Sequence, residues 1–425
     1  MSGGVGGMVR PGASALEWQP SRRSLEGRNS QDKDGIAMSR IGLRTLGLMG
    51  LLLGTASCTP EEEAFPNEAE LEQLRALHTP SPRPPVDPTN QYGDNPAAAA
   101  LGDRLFDDPK LSSCGTVSCK SCHDGEGKSV TEATALGCDG QRTGRNPPTI
   151  LNSGYSTWYM WDGRADRLWN QALLPLLSPV EMNSNPAILR DRLSDALYAE
   201  DYRALFGVLP SQEREERLLA NFGKVIAAYE RTQNRVDAPF DRDVVRFIAA
   251  AEAGQAEADP AYLGLKTFMR KGQCIACHKG PMLSDDQFHN IGVKDASAGK
   301  PGVASAAEAL LGWAFNASGA YSDKPAGLEA GRLQRLRTDL AQKPASFEGA
   351  FKTPTLRNVT LTAPYMHTGE LATLEDVIEL YNKGGEPAGS FAGVVTETII
   401  PLELTDAEKT ALLNLLKSMT GAPHE

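Results

Sequence analysis

Two short stretches carry the same pattern: VSCKSCHDGEG, residues 117–127, and KGQCIACHKGP, residues 271–281. Cys119, Cys122 and His123 in the first are matched by Cys274, Cys277 and His278 in the second. The whole chain has seven cysteines and six histidines. At such frequencies one C-x-x-C-H arises by accident in roughly two chains per thousand of this length, so two are not accidental. Three chemistries compete for a C-x-x-C pair. A shared zinc site sets two pairs about 15–20 residues apart, and these pairs lie far beyond that spacing. A thioredoxin-type dithiol needs no histidine directly after the second cysteine. Haem c does: two thiols add to the porphyrin vinyl groups, and the next residue supplies an imidazole to iron. The pattern predicts two haem c groups, one on Cys119, Cys122 and His123, the other on Cys274, Cys277 and His278.

The front of the chain says where such chemistry happens. Residues 38–57 combine Arg40 and Arg44 with a short apolar run from Leu46 to Leu53 and the small Ala56-Ser57. This is a secretory signal, too short to span a bilayer. It has the look of a bacterial lipoprotein signal, with Cys58 as the acylated first residue. Thr55 departs from that pattern, so plain signal-peptidase cleavage is the alternative. The expected location is the periplasm, with a lipid anchor at Cys58. Residues 1–37 are an N-terminal extension without apolar periodicity, and Met38 is a candidate start. Export permits disulfides. With Cys58 assigned to lipid and four cysteines to haem, Cys114 and Cys138 remain, and they bracket the first haem motif. They are expected to be joined.

Residues 58–94 read as an acidic and Pro-rich linker, opening with Glu61-Glu62-Glu63 and continuing as a semi-rigid polyproline spacer. The remainder fits two domains, 95–250 and 251–425, each with one haem. A net charge of −11 makes nucleic acid an unsuitable partner. Helical periodicity dominates: NPAAAALGDRLFDD, ERLLANFGKVIAAYERT and TDAEKTALLNLLKSMTG each place apolar residues at helical spacing. The last opens with Thr405 three residues before Glu408, a capping-box pattern. The fold class expected is mostly α. No internal repeat stands out beyond the two haem motifs.

Longer stretches carry a resemblance. DDPKLSSCGTVSCKSCH, RNPPTILN, WDGRADRLWNQALLPLLSPVEM and FKTPTLRNVTLTAPYMHTGELATLEDVIELYN resemble the bacterial di-haem cytochrome c peroxidase family, including its MauG-like branch, over about residues 95–420. The resemblance implies two cytochrome c-like helical haem domains facing each other. It implies an enzyme that reacts with hydrogen peroxide at haem 1 and shares oxidising equivalents with haem 2. Trp161 matches the tryptophan between the haems. Gln171, Pro175 and Glu181 match the distal pocket of haem 1. Asn146, Thr362 and Pro364 match interdomain calcium ligands, the last two through backbone oxygen. Tyr381 falls where many members have a methionine distal ligand to haem 2 and the MauG-like ones have tyrosine.

Blander readings stand beside these. Trp161 is equally a core residue, Glu181 an exposed carboxylate, and Asn146 and Pro364 turn formers. Leu374, Val377, Ile378 and Tyr381 follow i, i+3, i+4, i+7, so Tyr381 lies on a buried helix face where a core tyrosine also belongs. Met366 is the rival ligand; His289 and His367 read as core or supporting histidines. Family members often carry a histidine ahead of RNPPT, and this chain has none there. Haem 1 is therefore expected to be open to peroxide, with a Cys138 thiolate on its iron as the competing possibility. An insertion at 295–346, containing Trp313 and Tyr321, is a candidate docking surface. The functional expectation is a periplasmic enzyme that uses peroxide to oxidise a partner protein. The alternatives are a peroxidase fed by a small redox protein and a non-catalytic electron-transfer cytochrome.

Overall fold

A computed structural model describes residues 64–77, 83–123, 131–294 and 302–422. The signal segment and Cys58 lie outside the described residues. The helices in chain order are α1 Glu68–Ala76, α2 Pro96–Phe106, α3 Leu168–Gln171, α4 Leu173–Leu177, α5 Pro186–Leu193, α6 Ala199–Phe206 and α7 Glu215–Glu230. They continue with α8 Pro239–Glu252, α9 Tyr262–Met269, α10 Val303–Gly312, α11 Leu328–Gln342, α12 Leu374–Asn382 and α13 Asp406–Ser418. Two short strands, β1 Phe288–His289 and β2 Phe351–Lys352, pair antiparallel with Phe288 opposite Lys352. The fold is mostly α.

Three apolar clusters organise these elements. The first lobe is built on α2 and α7, whose Leu101, Leu105, Phe222 and Ile226 are buried together with Trp169 and Leu173. Glycine sets the closeness of that packing: a Cβ at Gly102 would collide with the Val225 carbonyl, and one at Gly223 with the Trp169 carbonyl. The second lobe is built on α9 and α13, with Leu265, Phe268, Leu412 and Leu416 buried alongside Phe240, Val244 and Phe247 of α8. Thr405 caps α13, and its hydroxyl and the Glu408 side chain complete the capping box that the sequence predicts. Cys114 and Cys138 are disulfide-bonded, as the cysteine count predicts, and a Cys138 thiolate ligand is thereby ruled out.

Two expectations need correction. The linker placed at 58–94 is not all linker. α1 begins with a capping box on Asn67 and Glu70, and Leu71, Leu74 and Leu77 are buried in the second lobe's core. Burial of that kind is worth about 1.5–3 kcal/mol per leucine, enough to hold an acidic helix in place. Further on, the Asn90 amide donates to the Lys224 carbonyl (3.0 Å), and Arg231 pairs with Asp94 (2.6 Å). The insertion is likewise more than a surface loop: one side of it packs on the body, while much of α11 stays exposed. Its α10 and α11 form a third cluster with Trp158, while Trp313 and Tyr321 pack with Phe315 against the first lobe's core. Buried Lys224 reaches Asp323 of this segment (2.6 Å).

An internal repeat, unexpected from the sequence, relates the lobes. Residues 146–175 and 352–381 follow the same path at a constant offset. Asn152 and Asn358 are both left-handed (φ 59° and 62°), as are Met160 and Met366 (60° and 67°) and Gly163 and Gly369 (66° and 69°). An isolated bridge Tyr159–Ala165 is mirrored by Tyr365–Leu371. The Thr149 hydroxyl accepts from the Leu151 N–H (3.1 Å), and the Thr355 hydroxyl accepts from the Arg357 N–H at the same distance. The lobes meet through equivalent atoms: Asn146 N–H donates to the His367 carbonyl (2.9 Å), and Lys352 N–H to the Trp161 carbonyl (2.7 Å).

Candidate haem sites and the cavity between them

Both C-x-x-C-H motifs fold as a single 3-10 turn. In the first, the N–H groups of Cys122 and His123 both donate to the Cys119 carbonyl (3.1 and 3.0 Å). In the second, Cys277 and His278 donate to the Cys274 carbonyl (3.3 and 2.8 Å). Each turn gathers two thiols and an imidazole. All four thiols are free, and burial pushes Cys122 up to about 11 and Cys274 up to about 12, so those sulfurs are neutral.

His123 and His278 border one cavity of about 980 Å³ that runs between the lobes. Such a volume is at the upper end of small-molecule sites. The imidazoles differ in their support. His278 Nδ1 sits 2.9 Å from the Leu283 carbonyl, which fixes the ring and leaves Nε2 for a metal. His123 Nδ1 is buried without a hydrogen-bond partner, and burial pushes the ring down to about 4. Neutral imidazoles, paired neutral thiols and an apolar cavity are the donor set and the space that haem c requires.

The other expected site residues distribute around this cavity. Trp161, Gln171, Tyr381, Asn146, Thr362 and Pro364 line it; Pro175 and Glu181 do not. Trp161 is half-buried, its Nε1–H donating to the Asn146 carbonyl (2.7 Å), and its ring lies 6.4 Å from that of His367. Gln171 ends α3. Glu181 is held by its backbone: its carbonyl accepts from Cys138 N–H (2.8 Å), next to the disulfide, and its N–H donates to the Ser178 carbonyl (3.1 Å). Burial raises the Glu181 carboxyl above the usual range, with Arg164 and the Ser178 hydrogen bond opposing. Its charge adds to the upward push of burial on Cys122.

At the second motif, Thr373 caps α12 as expected, and Leu374 and Ile378 are buried. Tyr381 follows on that face. Burial raises its phenol far above 10, with the Cys274 and Cys277 sulfurs adding to the shift. Under the repeat, the first-lobe equivalent of Tyr381 is Pro175. Met366 also lines the cavity, as the equivalent of Met160. His289 bonds Asp285 (2.9 Å), which pushes it up to about 9, with the Cys277 sulfur contributing. His367 is buried and stacks on Phe351 at 3.7 Å. The Asn146 amide N–H₂ donates to the Ala133 carbonyl (3.1 Å), and Asn146, Thr362 and Pro364 all border the cavity.

One buried group escaped sequence reasoning. Glu230, the last residue of α7, lines the cavity, is buried, and has a carboxylate oxygen without a hydrogen-bond partner. Burial pushes it up to about 8. A signal existed: Glu230 continues the apolar face of Gly223, Ile226 and Ala227 at i+7, i+4 and i+3.

Comparison with known proteins gives the same reading. Residues 96–246 match the family model for di-haem cytochrome c peroxidase. The chain is similar to the methylamine utilization protein MauG of Methylorubrum extorquens, 32% identical over 362 residues, covering 84% of this chain and 88% of that protein. It is similar to the cytochrome-c peroxidase IdrP2 of Denitromonas iodatirespirans, 30% identical over 388 residues, with 90% and 93% covered. The cytochrome c551 peroxidase of Pseudomonas aeruginosa is 32% identical over 282 residues, with 66% and 70% covered. Among solved structures, a MauG-like protein associated with microbial copper homeostasis superposes with a TM-score of 0.58 at 28% identity, covering 81% of this chain and 94% of that one. The diheme peroxidase BthA of Burkholderia thailandensis, at 22% identity, shares the fold with a TM-score of 0.60 over 81% and 93%. Membership in a di-haem family implies two haem c groups, and the chain is an oxidoreductase that belongs to the MauG-like di-haem cytochrome c peroxidase family.

Proposed function

We propose that this enzyme works in the periplasm, where it uses hydrogen peroxide to oxidise a partner protein. His123 would hold the haem that meets peroxide, and His278 and Tyr381 would hold the other. Bound haem supplies the redox chemistry; the chain's own residues supply protons, polarity and separation. Glu181 accepts a proton from the near peroxide oxygen and returns it to the far one, as general base and then general acid. Its raised carboxyl suits both halves of that task. Gln171 donates hydrogen bonds to the peroxide oxygens and polarises them. Trp161, bonded to the Asn146 backbone between the lobes, is the residue through which oxidising equivalents pass. The Asn146 side-chain oxygen and the Thr362 and Pro364 carbonyls hold a calcium ion that fixes this geometry.

The observation that carries the reading is the contrast between Pro175 and Tyr381 at equivalent positions of the repeat. Proline offers no ligand, which leaves the first site open. A phenol oxygen offers a hard, anionic donor, which favours oxidised iron. Tyr381 would thereby suit a second haem that stores oxidising power rather than receiving electrons. The test is Tyr381→Phe beside Tyr381→Met. We expect Phe to change the haem 2 spectrum, and Met to raise its potential and move activity toward reduction of peroxide by small donors. Unchanged spectra and potentials in Tyr381→Phe would overturn tyrosine ligation and leave Met366 as the next ligand to replace. A second reading, peroxide removal with electrons from a small redox protein, is favoured by similarity to the cytochrome c551 peroxidase. Turnover assays with peroxide and candidate reductants separate the two.

A further inference from the structure

The two proximal histidines are supported differently, and the repeat says what compensates. Asn152 donates its N–H to the Gln233 carbonyl (2.9 Å) and accepts the Arg235 N–H on Oδ1 (2.8 Å). Its equivalent Asn358 donates to the Met419 carbonyl (2.9 Å) and accepts the Gly421 N–H (3.0 Å). These bonds align the end of α7 with the end of α13. Glu230, three residues before Gln233, therefore corresponds to Leu416, three before Met419, and both line the cavity. In the second lobe the Leu283 carbonyl holds His278, and the helix end is apolar. In the first lobe the His123 Nδ1 has no partner among the described residues, and the helix end is a buried carboxyl group with an unpartnered oxygen.

The donor and the acceptor are complementary. A haem bound in its site presents no N–H to the cavity. Three ring donors on the cavity are committed: Trp161 to the Asn146 carbonyl, Tyr159 to the Ser153 and Ser156 carbonyls, and His278 to Leu283. Glu230 also acts electrostatically on Cys119, whose carbonyl accepts the His123 N–H. A metal-bound histidine almost always gives its second ring N–H to a carboxylate, a backbone carbonyl or water.

We propose that Glu230 is the positioning residue of haem 1: its carboxylate accepts the Nδ1–H of His123, orients the ring and makes the imidazole a stronger donor to iron. Haem 2, with a carbonyl in that role, has the weaker version. The inference rests on haem attachment at Cys119 and Cys122.

The test uses the full-length di-haem protein and two variants. Glu230→Gln keeps the shape and removes the anionic acceptor. Glu230→Leu installs the residue of the second lobe and removes a buried carboxyl. The readouts are the iron–histidine stretch of ferrous haem 1 by resonance Raman and the haem 1 midpoint potential. Both variants should lower the stretching frequency and raise the potential. Loss of a supporting carboxylate is worth about 10–100-fold. That is about 59 mV for each tenfold in a one-electron couple. The haem 2 potential should not move. An unchanged stretch and potential in both variants would overturn the proposal. Loss of covalent haem 1 from the parent protein would instead sink the reading on which it rests.

Discussion

The path from Asn146 to Pro175 is retraced from Lys352 to Tyr381, down to matching left-handed residues and matching threonine turns. What the two copies carry differs at matching positions. Trp161 stands opposite His367 as its equivalent, Gln171 corresponds to Val377, and Pro175 to Tyr381. One copy offers a polar pocket beside an empty position. The other carries Val377 and the Tyr381 phenol. Backbone conformation is held constant while chemistry changes, so the functional asymmetry of the lobes lies in a few side chains.

That contrast can be broken directly. Pro175→Tyr gives the first lobe the residue of the second. The high-spin signal expected for an open haem 1 should disappear, and with it the fast reaction with peroxide. Electron paramagnetic resonance and stopped-flow mixing check both. An unaltered high-spin signal would mean that the two positions are not equivalent with respect to iron.

Next in size is Glu181→Gln, which should slow peroxide cleavage by about two to four orders of magnitude. The parent should also lose activity as pH falls, because the base must be ionised. Burial raises this carboxyl, so the acid limb should centre above the ordinary 4.5 and be absent from the Gln variant. A pH profile of kcat/KM for peroxide in both proteins decides it.

A smaller effect belongs to the disulfide, which exists in the first lobe alone among the described residues. Replacing Cys114 and Cys138 by serine should cost about 3 kcal/mol, the worth of closing a loop of this length. Urea denaturation measures it. Because Cys138 N–H also holds the Glu181 carbonyl, the same variant should weaken peroxide reactivity without touching haem 2.

Smallest is Asn146→Ala, which removes the amide bond to Ala133 and one proposed calcium ligand while the backbone carbonyl still holds Trp161. A stability loss of about 1 kcal/mol is expected from the hydrogen bond. If calcium sits there, a chelator should perturb the haem spectra of the parent and leave the variant unchanged.

How much of this was legible depended on how densely the signal was written. Each haem motif occupies five adjacent residues, and the spacing alone excludes the competing chemistries. α2, α7 and α13 announce themselves by long apolar periodicity, and Thr405 with Glu408 marks a helix start. The repeat was not legible, because its identities are scattered, as in Thr149/Thr355, Asn152/Asn358 and Tyr159/Tyr365, between residues free to diverge on the cavity side. α1 was overlooked for another reason: its glutamates and the prolines beyond it suggest a solvated linker, and Leu71, Leu74 and Leu77 outweigh them only when the second core is there to receive them. Glu230 ends an apolar helix face but is followed by Arg231, so the sequence there suits a solvated helix end as well as a buried one. Its burial is decided by the packing of α7, not by its neighbours in sequence.

The reciprocal bonds from Asn146 N–H to the His367 carbonyl and from Lys352 N–H to the Trp161 carbonyl use main-chain atoms alone. Two identical subunits related by a two-fold axis exchange contacts in this way, and here one chain does it with itself. A seam made of backbone does not depend on which side chains flank it. Side chains on either copy can therefore be rewritten without loosening the main-chain clamp that holds the two copies together.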